Sequence, residues 1–210
     1  MEEKRTKRDL RSDLLLIAAL IAWAFFVNRQ FRISGLYKDD LYTWSCWGEQ
    51  SFLQYAFPLD STRCRFVYWT LSWLELGLIG GHLEWIVPIN ILLNAGLASF
   101  LYYFAKRLSG SRPVAFLVGV LFLGSHFAYY QIGQLLGLME TLGVFFALLQ
   151  AYFLYRYLRG KSERRDFLLA LLVYFLNCFT HERYMVLLPM FFYCLLVRRD
   201  KKWQRYLLAA

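Results

Sequence analysis

Charged residues are scarce in this chain. Asp, Glu, Lys and Arg make up 19% of its 210 residues, whereas soluble domains average about a quarter. Hydrophobic residues account for 59% and aromatic residues for 20%. The apolar residues also form long blocks separated by short polar breaks, which is the pattern of a chain that spans a bilayer. The composition therefore excludes an ordinary soluble domain and predicts an integral membrane protein.

Motifs of soluble chemistry are also missing. The sequence contains no Walker loop, dinucleotide glycine fingerprint, HExxH zinc motif or nucleophile elbow. Its net charge is +9, but the Lys and Arg residues occur in small groups beside the apolar blocks, which argues against a nucleic-acid partner. The four cysteines lack metal-ligand spacing, and Cys46 and Cys64 share one polar segment, where an oxidising compartment would allow them to pair.

The apolar blocks predict an all-α, polytopic transmembrane bundle of about six spans, forming a single membrane domain over residues 1–210. The first four spans are expected at residues 14–27, 85–105, 113–130 and 138–157. Residues 167–197 are apolar except at their centre, which predicts two short helices that meet at a polar apex. Because the sequence turns apolar again after a basic segment near its end, we expect the N-terminal core of a longer protein.

The first outer loop covers about residues 28–84 and carries too much charge to lie in hydrocarbon. Within it, residues 66–79 are apolar but too few to span, and they include Glu75. Trp69 and Trp73 fall on one face of a helix there, which favours an interfacial helix.

The distribution of basic residues predicts the topology. With six spans, 18 of the 24 Lys and Arg residues fall on one side, and the positive-inside rule makes that side cytoplasmic. If residues 66–79 were also a span, the basic loops at 106–112 and 156–165 and the basic tail would lie outside. That arrangement would violate the positive-inside rule. We therefore expect a multi-pass protein with both termini cytoplasmic, in a bacterial inner membrane rather than the endoplasmic reticulum.

Adjacent carboxylates, Asp39 and Asp40, follow the first span and are flanked by aromatic residues. Such a pair can act as a general base, bind a divalent cation such as Mg²⁺ or Mn²⁺, or raise one pKa by mutual repulsion. A solvated turn is the alternative, because Asp is common in turns for local reasons.

A second polar feature, His181, Glu182 and Arg183, lies at the apex of the 167–197 hairpin. Each arm offers only thirteen or fourteen residues, about 20 Å of helix against about 30 Å of hydrocarbon. The apex should therefore sink into the outer leaflet, where charge is costly and usually functional. Arg183 and His181 are candidates to hold a lipid phosphate, and Glu182 to orient the histidine or, with Asp40, to bind a metal. An ordinary turn remains the alternative.

Arg63 and Arg65 fall on the predicted outer side, although basic residues generally prefer the cytoplasmic side. They suit either an anionic lipid headgroup or simple anchoring by snorkelling. The other polar residues near the outer face are interpreted as packing or capping residues: Glu75, His82, Glu84, Gln131, Gln134 and Glu140.

The order of these features resembles the N-terminal membrane core of the GT-C glycosyltransferases, a group that includes protein mannosyltransferases and aminoarabinose transferases. The resemblance rests on a basic start, one span, the Asp39–Asp40 loop, Arg63 and Arg65, and the Lys-Arg-Leu-Ser-Gly and Thr-His-Glu-Arg-Tyr segments at 106–110 and 180–184. It covers nearly the whole chain, although the remaining spans and any soluble C-terminal domain of that family are absent from it.

The resemblance implies a polyprenyl-phosphate-linked sugar as donor and a glycan, lipid or protein as acceptor. It gives Asp39 the role of catalytic base, with Asp40 as its companion, and gives His181, Glu182 and Arg183 contacts to a metal or the lipid phosphate. Two other classes stay open: a transporter or lipid flippase, and a non-catalytic membrane subunit.

Overall fold

The computed structural model describes residues 2–33, 35–36, 38–59, 61, 63–159 and 163–198. All regular secondary structure in this part of the chain is helical, as the composition predicts. Two 3₁₀ helices occupy Leu83–Trp85 and Glu182–Leu187. The α-helices are α1 (Glu2–Val27), α2 (Asp39–Glu49), α3 (Phe52–Ala56), α4 (Phe66–Ile79), α5 (Ile86–Ser109), α6 (Arg112–Leu123), α7 (His126–Ile132), α8 (Gly137–Leu158), α9 (Glu163–Cys178) and α10 (Pro189–Arg198).

Three helical segments within the described residues are long and apolar enough to cross a membrane: Leu10–Val27, Leu83–Ser109 and Gly137–Leu158. They correspond to the first, second and fourth predicted spans. Helices α4 and α6 are apolar but shorter. A helical membrane bundle therefore fits, while the count of six spans stays a prediction. The basic tail from residue 199 onward and Asp60 of the first loop lie outside the described residues.

The third predicted span, residues 113–130, is not one helix. It is interrupted at Gly124, where α6 ends, and Ser125 begins α7 by accepting a hydrogen bond from the Ala128 N–H at 3.2 Å. A serine in this position accepts a hydrogen bond from an N–H of the first helical turn, which has no acceptor within the helix itself. The prediction of a continuous helix was wrong because hydropathy does not detect this capping.

The first outer loop contains more helix than its polarity suggested. Helices α2 and α3 lie in the stretch that was expected to be a loop, and α4 has the bounds predicted for the interfacial helix. Asp39 and Asp40 occupy the first turn of α2, where acidic side chains interact favourably with the helix dipole. Cys46 and Cys64 are free thiols.

The chain divides into two compact units, whose boundaries fall just before α3, inside α4 and inside α8. The first unit takes in the described residues up to Ser51 together with Ser72–Thr141. In its core, Leu20 and Ala24 of α1 pack with Ala98 of α5 and Ala115 of α6. The prediction of a single membrane domain stays a prediction.

A polar clamp also joins α1, α5 and α6 in the first unit. The Asp13 carboxylate accepts hydrogen bonds from the Tyr102 hydroxyl at 2.7 Å and from Arg112 Nε at 3.0 Å, and it forms an ion pair with Lys106. The charge distribution predicts that these residues lie towards the cytoplasmic side. The clamp therefore joins the three helices.

The second unit takes in Phe52–Leu71 and the described residues from Leu142 onward. It contains the hairpin of α9, the 3₁₀ helix and α10. The Tyr174 hydroxyl donates a hydrogen bond to the Met185 carbonyl at 3.2 Å, and the ring of Tyr184 packs so closely on Gly143 of α8 that a Cβ there would overlap it. These contacts hold the hairpin apex in place.

Candidate functional site

Asp39 and Asp40 are neighbours in sequence but lie in different surroundings. Asp39 is exposed and its side chain forms no hydrogen bond or ion pair within the described part of the chain, whereas Asp40 is half-buried. The preceding residue, Lys38, has a φ of 49°, in the left-handed region that non-glycine residues rarely adopt. This backbone turn leads the chain into α2.

Asp40 ties the start of α2 to the turn between α7 and α8. Its Oδ2 accepts the Leu135 N–H at 3.0 Å and its Oδ1 accepts the Leu136 N–H at 2.9 Å. Burial raises the pKa of Asp40, the two backbone hydrogen bonds oppose that rise, and the charge of Asp39 adds to it. Both oxygens of Asp40 are therefore engaged in fixing the turn, which leaves Asp39 as the exposed carboxylate.

A third carboxyl group, Glu75 of α4, belongs to the same unit. Glu75 is only 6% exposed, and neither side-chain oxygen has a hydrogen-bond partner among the described residues. Burial raises the pKa of Glu75 to about 8, and the charge of Asp40 contributes to the rise. At pH 7 this group is predominantly protonated and neutral. The interpretation of Glu75 as a packing or capping residue stays a prediction.

Buried amides complete the polar surroundings of the α7–α8 turn. Asn90 Nδ2 of α5 donates to the Gln134 carbonyl at 2.8 Å and to the Ile132 carbonyl at 3.4 Å. Gln131 is fully buried, and its side-chain amide has no partner within the described residues. Gly137 permits the tight turn, because a Cβ there would overlap the Gln131 carbonyl. Side chains from α2 and α5 thus fix one turn.

In the second unit, Arg65 and Glu182 form a bidentate ion pair. Arg65 Nε donates to Oε2 at 2.7 Å and an Nη to Oε1 at 2.5 Å. The Arg65 side chain is 9% exposed and that of Glu182 is 47% exposed. Hydrogen bonding from Arg65 lowers the pKa of Glu182 to about 2. The pair joins the segment before α4 to the apex of the hairpin, although 117 residues separate the two in sequence.

His181 is neutral at physiological pH. Burial, followed by the positive charges of Arg65 and Arg183, lowers the pKa of His181 to about 4. Its Nδ1 accepts the Arg183 main-chain N–H at 3.2 Å, and this hydrogen bond assigns the ring proton to Nε2. The histidine predicted to assist Arg183 is therefore a neutral hydrogen-bond donor rather than a second cation.

Arg63 and Arg183 are exposed cations of this unit. The Arg183 guanidinium lies 5.9 Å from the centre of the Tyr184 ring. Together with Arg65 they provide three positive charges against the carboxylate of Glu182, so the described residues of the cluster carry a net positive charge. Such a cluster is suited to an anionic group, since guanidinium groups match phosphate oxygens in geometry.

The predicted metal ligands, Asp40 and Glu182, are each engaged elsewhere and belong to different units. Asp40 accepts two backbone N–H groups and Glu182 pairs with Arg65. Within the described ranges, no three or more His, Cys, Asp or Glu side chains are arranged to hold a metal ion. These carboxylates do not fit a metal centre, and the chemistry proposed below is assigned to protein side chains.

The Arg65–Glu182 pair should contribute measurably to stability. We expect Arg65→Ala to lower the free energy of unfolding by about 1–3 kcal/mol, a range reduced because Glu182 is half-exposed. A double-mutant cycle with Glu182→Ala, measured by thermal unfolding, should give a coupling of about 1 kcal/mol. Arg63→Ala, an exposed control two residues away, should stay within about 0.5 kcal/mol of wild type. Additive effects of the two substitutions would contradict the pair.

No protein-family model, curated protein or solved structure matches this chain.

Proposed function

We propose that the chain is the six-span core of a membrane glycosyltransferase, which transfers a sugar from a polyprenyl-phosphate donor to an acceptor on the extracytoplasmic face. The observation that supports it most is the contrast between the two adjacent carboxylates at the start of α2. Asp40 is fixed by two backbone hydrogen bonds, and Asp39 beside it is an exposed carboxylate on an anchored helix end. A carboxylate whose backbone position is fixed in this way suits general-base catalysis.

The proposed reaction is a displacement at the anomeric carbon of the donor sugar. The acceptor hydroxyl or amine forms the new bond to that carbon while the bond to the phosphate oxygen breaks, and the polyprenyl phosphate leaves with the electron pair. Asp39 takes the proton from the acceptor. The exposed carboxylate is suited to this step because its oxygens are not committed within the described residues.

The positive cluster of the second unit is assigned to the lipid phosphate. Arg63 and Arg183 supply charge, and His181 supplies a neutral Nε2–H donor. Donors of this type stabilise the negative charge that builds up on a departing phosphate. Arg65 acts as a positioning residue, because its guanidinium is buried and bound to Glu182. The charge distribution of the sequence predicts that this cluster and Asp39 both lie on the extracytoplasmic side.

Arg183→Ala should weaken binding of the donor, because it removes a charged partner of the phosphate. We expect the KM for the lipid donor to rise about tenfold, with a smaller change in kcat, given that the group is solvent-exposed. Arg32→Ala, which removes an exposed arginine of the first outer loop outside the cluster, is the matched control and should leave KM unchanged. Equal kinetics for the two variants would remove Arg183 from the phosphate site.

A transporter or flippase is the rival class, and the placement of ionisable residues disfavours it. Transporters carry such residues near the bilayer midplane on interrupted helices. In the three candidate spans, all Asp, Glu, Lys and Arg residues lie in the first or last turn, as with Asp13, Lys106, Glu140 and Arg156. A non-catalytic subunit would tolerate Asp39→Asn without loss of function.

The test is direct turnover by the protein in proteoliposomes. Radiolabelled polyprenyl-phosphate-sugars that differ in the sugar are supplied with hydroxyl and amine acceptors, and release of polyprenyl phosphate is measured. Release above that of protein-free liposomes is expected for at least one donor. Movement of the intact labelled lipid between leaflets, without cleavage of any donor, would favour the flippase and reject the transferase.

A further inference from the structure

The first outer loop contains an apolar surface that is too short to be a span. Residues 52–59, here named the 52–59 segment, include α3 and carry no charged side chain. Four large apolar residues of the segment are exposed: Phe52 by 40%, Leu53 by 68%, Phe57 by 53% and Leu59 by 99%. Such a concentration of exposed apolar residues usually marks an interaction surface.

The exposed residues belong to a segment whose position is fixed, because Tyr55 and Phe57 anchor it to α4. Tyr55 is 2% exposed and makes an edge-on contact with Trp69 at 5.4 Å between ring centres. The Phe57 ring stacks on Phe66 at 5.9 Å, and Phe66 in turn contacts Phe179 at 4.7 Å. These contacts hold one side of the segment, and Leu53 and Leu59 remain directed to the surroundings.

The chain near the segment matches the chemistry of a lipid surface. Arg63 is exposed and follows Leu59 by four residues in the sequence. A cation close in sequence to an exposed apolar segment is the pattern found where a protein meets lipid phosphates. The segment is also tethered between two candidate spans, Leu10–Val27 and Leu83–Ser109. The tether keeps the bilayer within reach at high effective concentration.

We propose that the 52–59 segment inserts into the outer leaflet of the bilayer, with Leu53 and Leu59 in the hydrocarbon and Arg63 at the depth of the lipid phosphates. The segment is then a membrane anchor of the first outer loop that does not span. Its insertion fixes the height of Arg63 relative to the headgroups. This inference does not depend on the transferase activity.

The test compares two positions that are two residues apart. In a variant in which Cys46, Cys64, Cys178 and Cys194 are replaced by serine, Leu59→Cys and Ser61→Cys are each labelled with a nitroxide. The proteins are reconstituted in phosphatidylcholine vesicles that contain phosphatidylglycerol. Collision rates are measured with oxygen, which concentrates in hydrocarbon, and with a water-soluble nickel chelate. Insertion predicts a ratio of oxygen to nickel collisions several-fold higher at position 59 than at position 61.

The possible outcomes distinguish insertion into lipid from exposure to water and from contact with protein. Equal ratios at positions 59 and 61 would overturn the proposal and leave the segment in water. Protection of position 59 from both reagents would also overturn it, because a protein contact would then cover the segment. If Leu59→Cys unfolds, judged by its thermal transition in detergent, Leu53→Cys takes its place with the same expected ratio.

Discussion

Asp39→Asn is expected to lower the turnover of sugar transfer by about 10²–10⁴-fold. The substitution keeps the size of the side chain and much of its hydrogen-bonding capacity, but it removes the ability to accept the proton of the acceptor. The KM for the lipid donor should change little, since Asp39 is not assigned to the phosphate. Because Asp39 is exposed and its side chain forms no hydrogen bond within the described residues, Tm should also stay close to that of wild type.

Asp40→Asn is the matched comparison for that result. An asparagine has one carbonyl oxygen, so it cannot accept both the Leu135 and the Leu136 N–H in the way that the carboxylate does. We expect Asp40→Asn to lower Tm as well as activity, while Asp39→Asn lowers activity alone. Near-normal turnover by the Asp39→Asn protein would rule out Asp39 as the base.

Glu75→Gln should remove a large part of the pH dependence of stability. In the wild-type protein the pKa of Glu75 rises from 4.5 to about 8 on folding. Between these values the folded state binds a proton that the unfolded state has released, so stability falls as pH rises across that window, by up to about 1.4 kcal/mol per pH unit. A glutamine does not titrate, and it preserves the neutral form that the buried site favours.

Thermal unfolding at pH 5, 6.5 and 8 measures this difference. The Tm of Glu75→Gln relative to wild type should increase steadily with pH and be largest at pH 8. Glu84→Gln, which alters an exposed carboxylate, is the control and should follow the wild-type curve. Parallel curves for Glu75→Gln and wild type would show that Glu75 is ionised, or solvated, in the folded protein.

Much of the helical fold could be predicted from the sequence, because it depends on long apolar runs and on local signals at their ends. The junction of α5 and α6 illustrates this. Gly110 ends α5 with a φ of 70°, and Ser111 accepts the Val114 N–H at the start of α6, as the sequence Ser-Gly-Ser-Arg-Pro suggests. The break before α7 was missed, because Ser125 lies inside an otherwise apolar run and the hydropathy does not change there.

The candidate site could be predicted only in part. The sequence identified Asp39 and Asp40 as a pair, but the difference between them arises from a turn 95 residues further along the chain. Local spacing also could not reveal that Arg65 binds Glu182, or that burial of His181 keeps it neutral. The raised pKa of Glu75 could not be predicted either, because it depends on how deeply the packing of α4 buries the carboxyl group. The sequence identifies the residue types at the site, whereas their protonation states and hydrogen-bond partners depend on tertiary contacts.

The central claim is sugar transfer at the extracytoplasmic face with Asp39 as base, and the most direct measurement is the sidedness of turnover. Sealed vesicles of either orientation are prepared from cells that express the protein, and a radiolabelled, short-chain, water-soluble donor analogue is added outside with an impermeant acceptor. We predict product with right-side-out vesicles, none with inverted vesicles, and at least a hundredfold less with right-side-out vesicles that carry Asp39→Asn. Product from inverted vesicles alone, or equal product from wild type and Asp39→Asn, would contradict the claim.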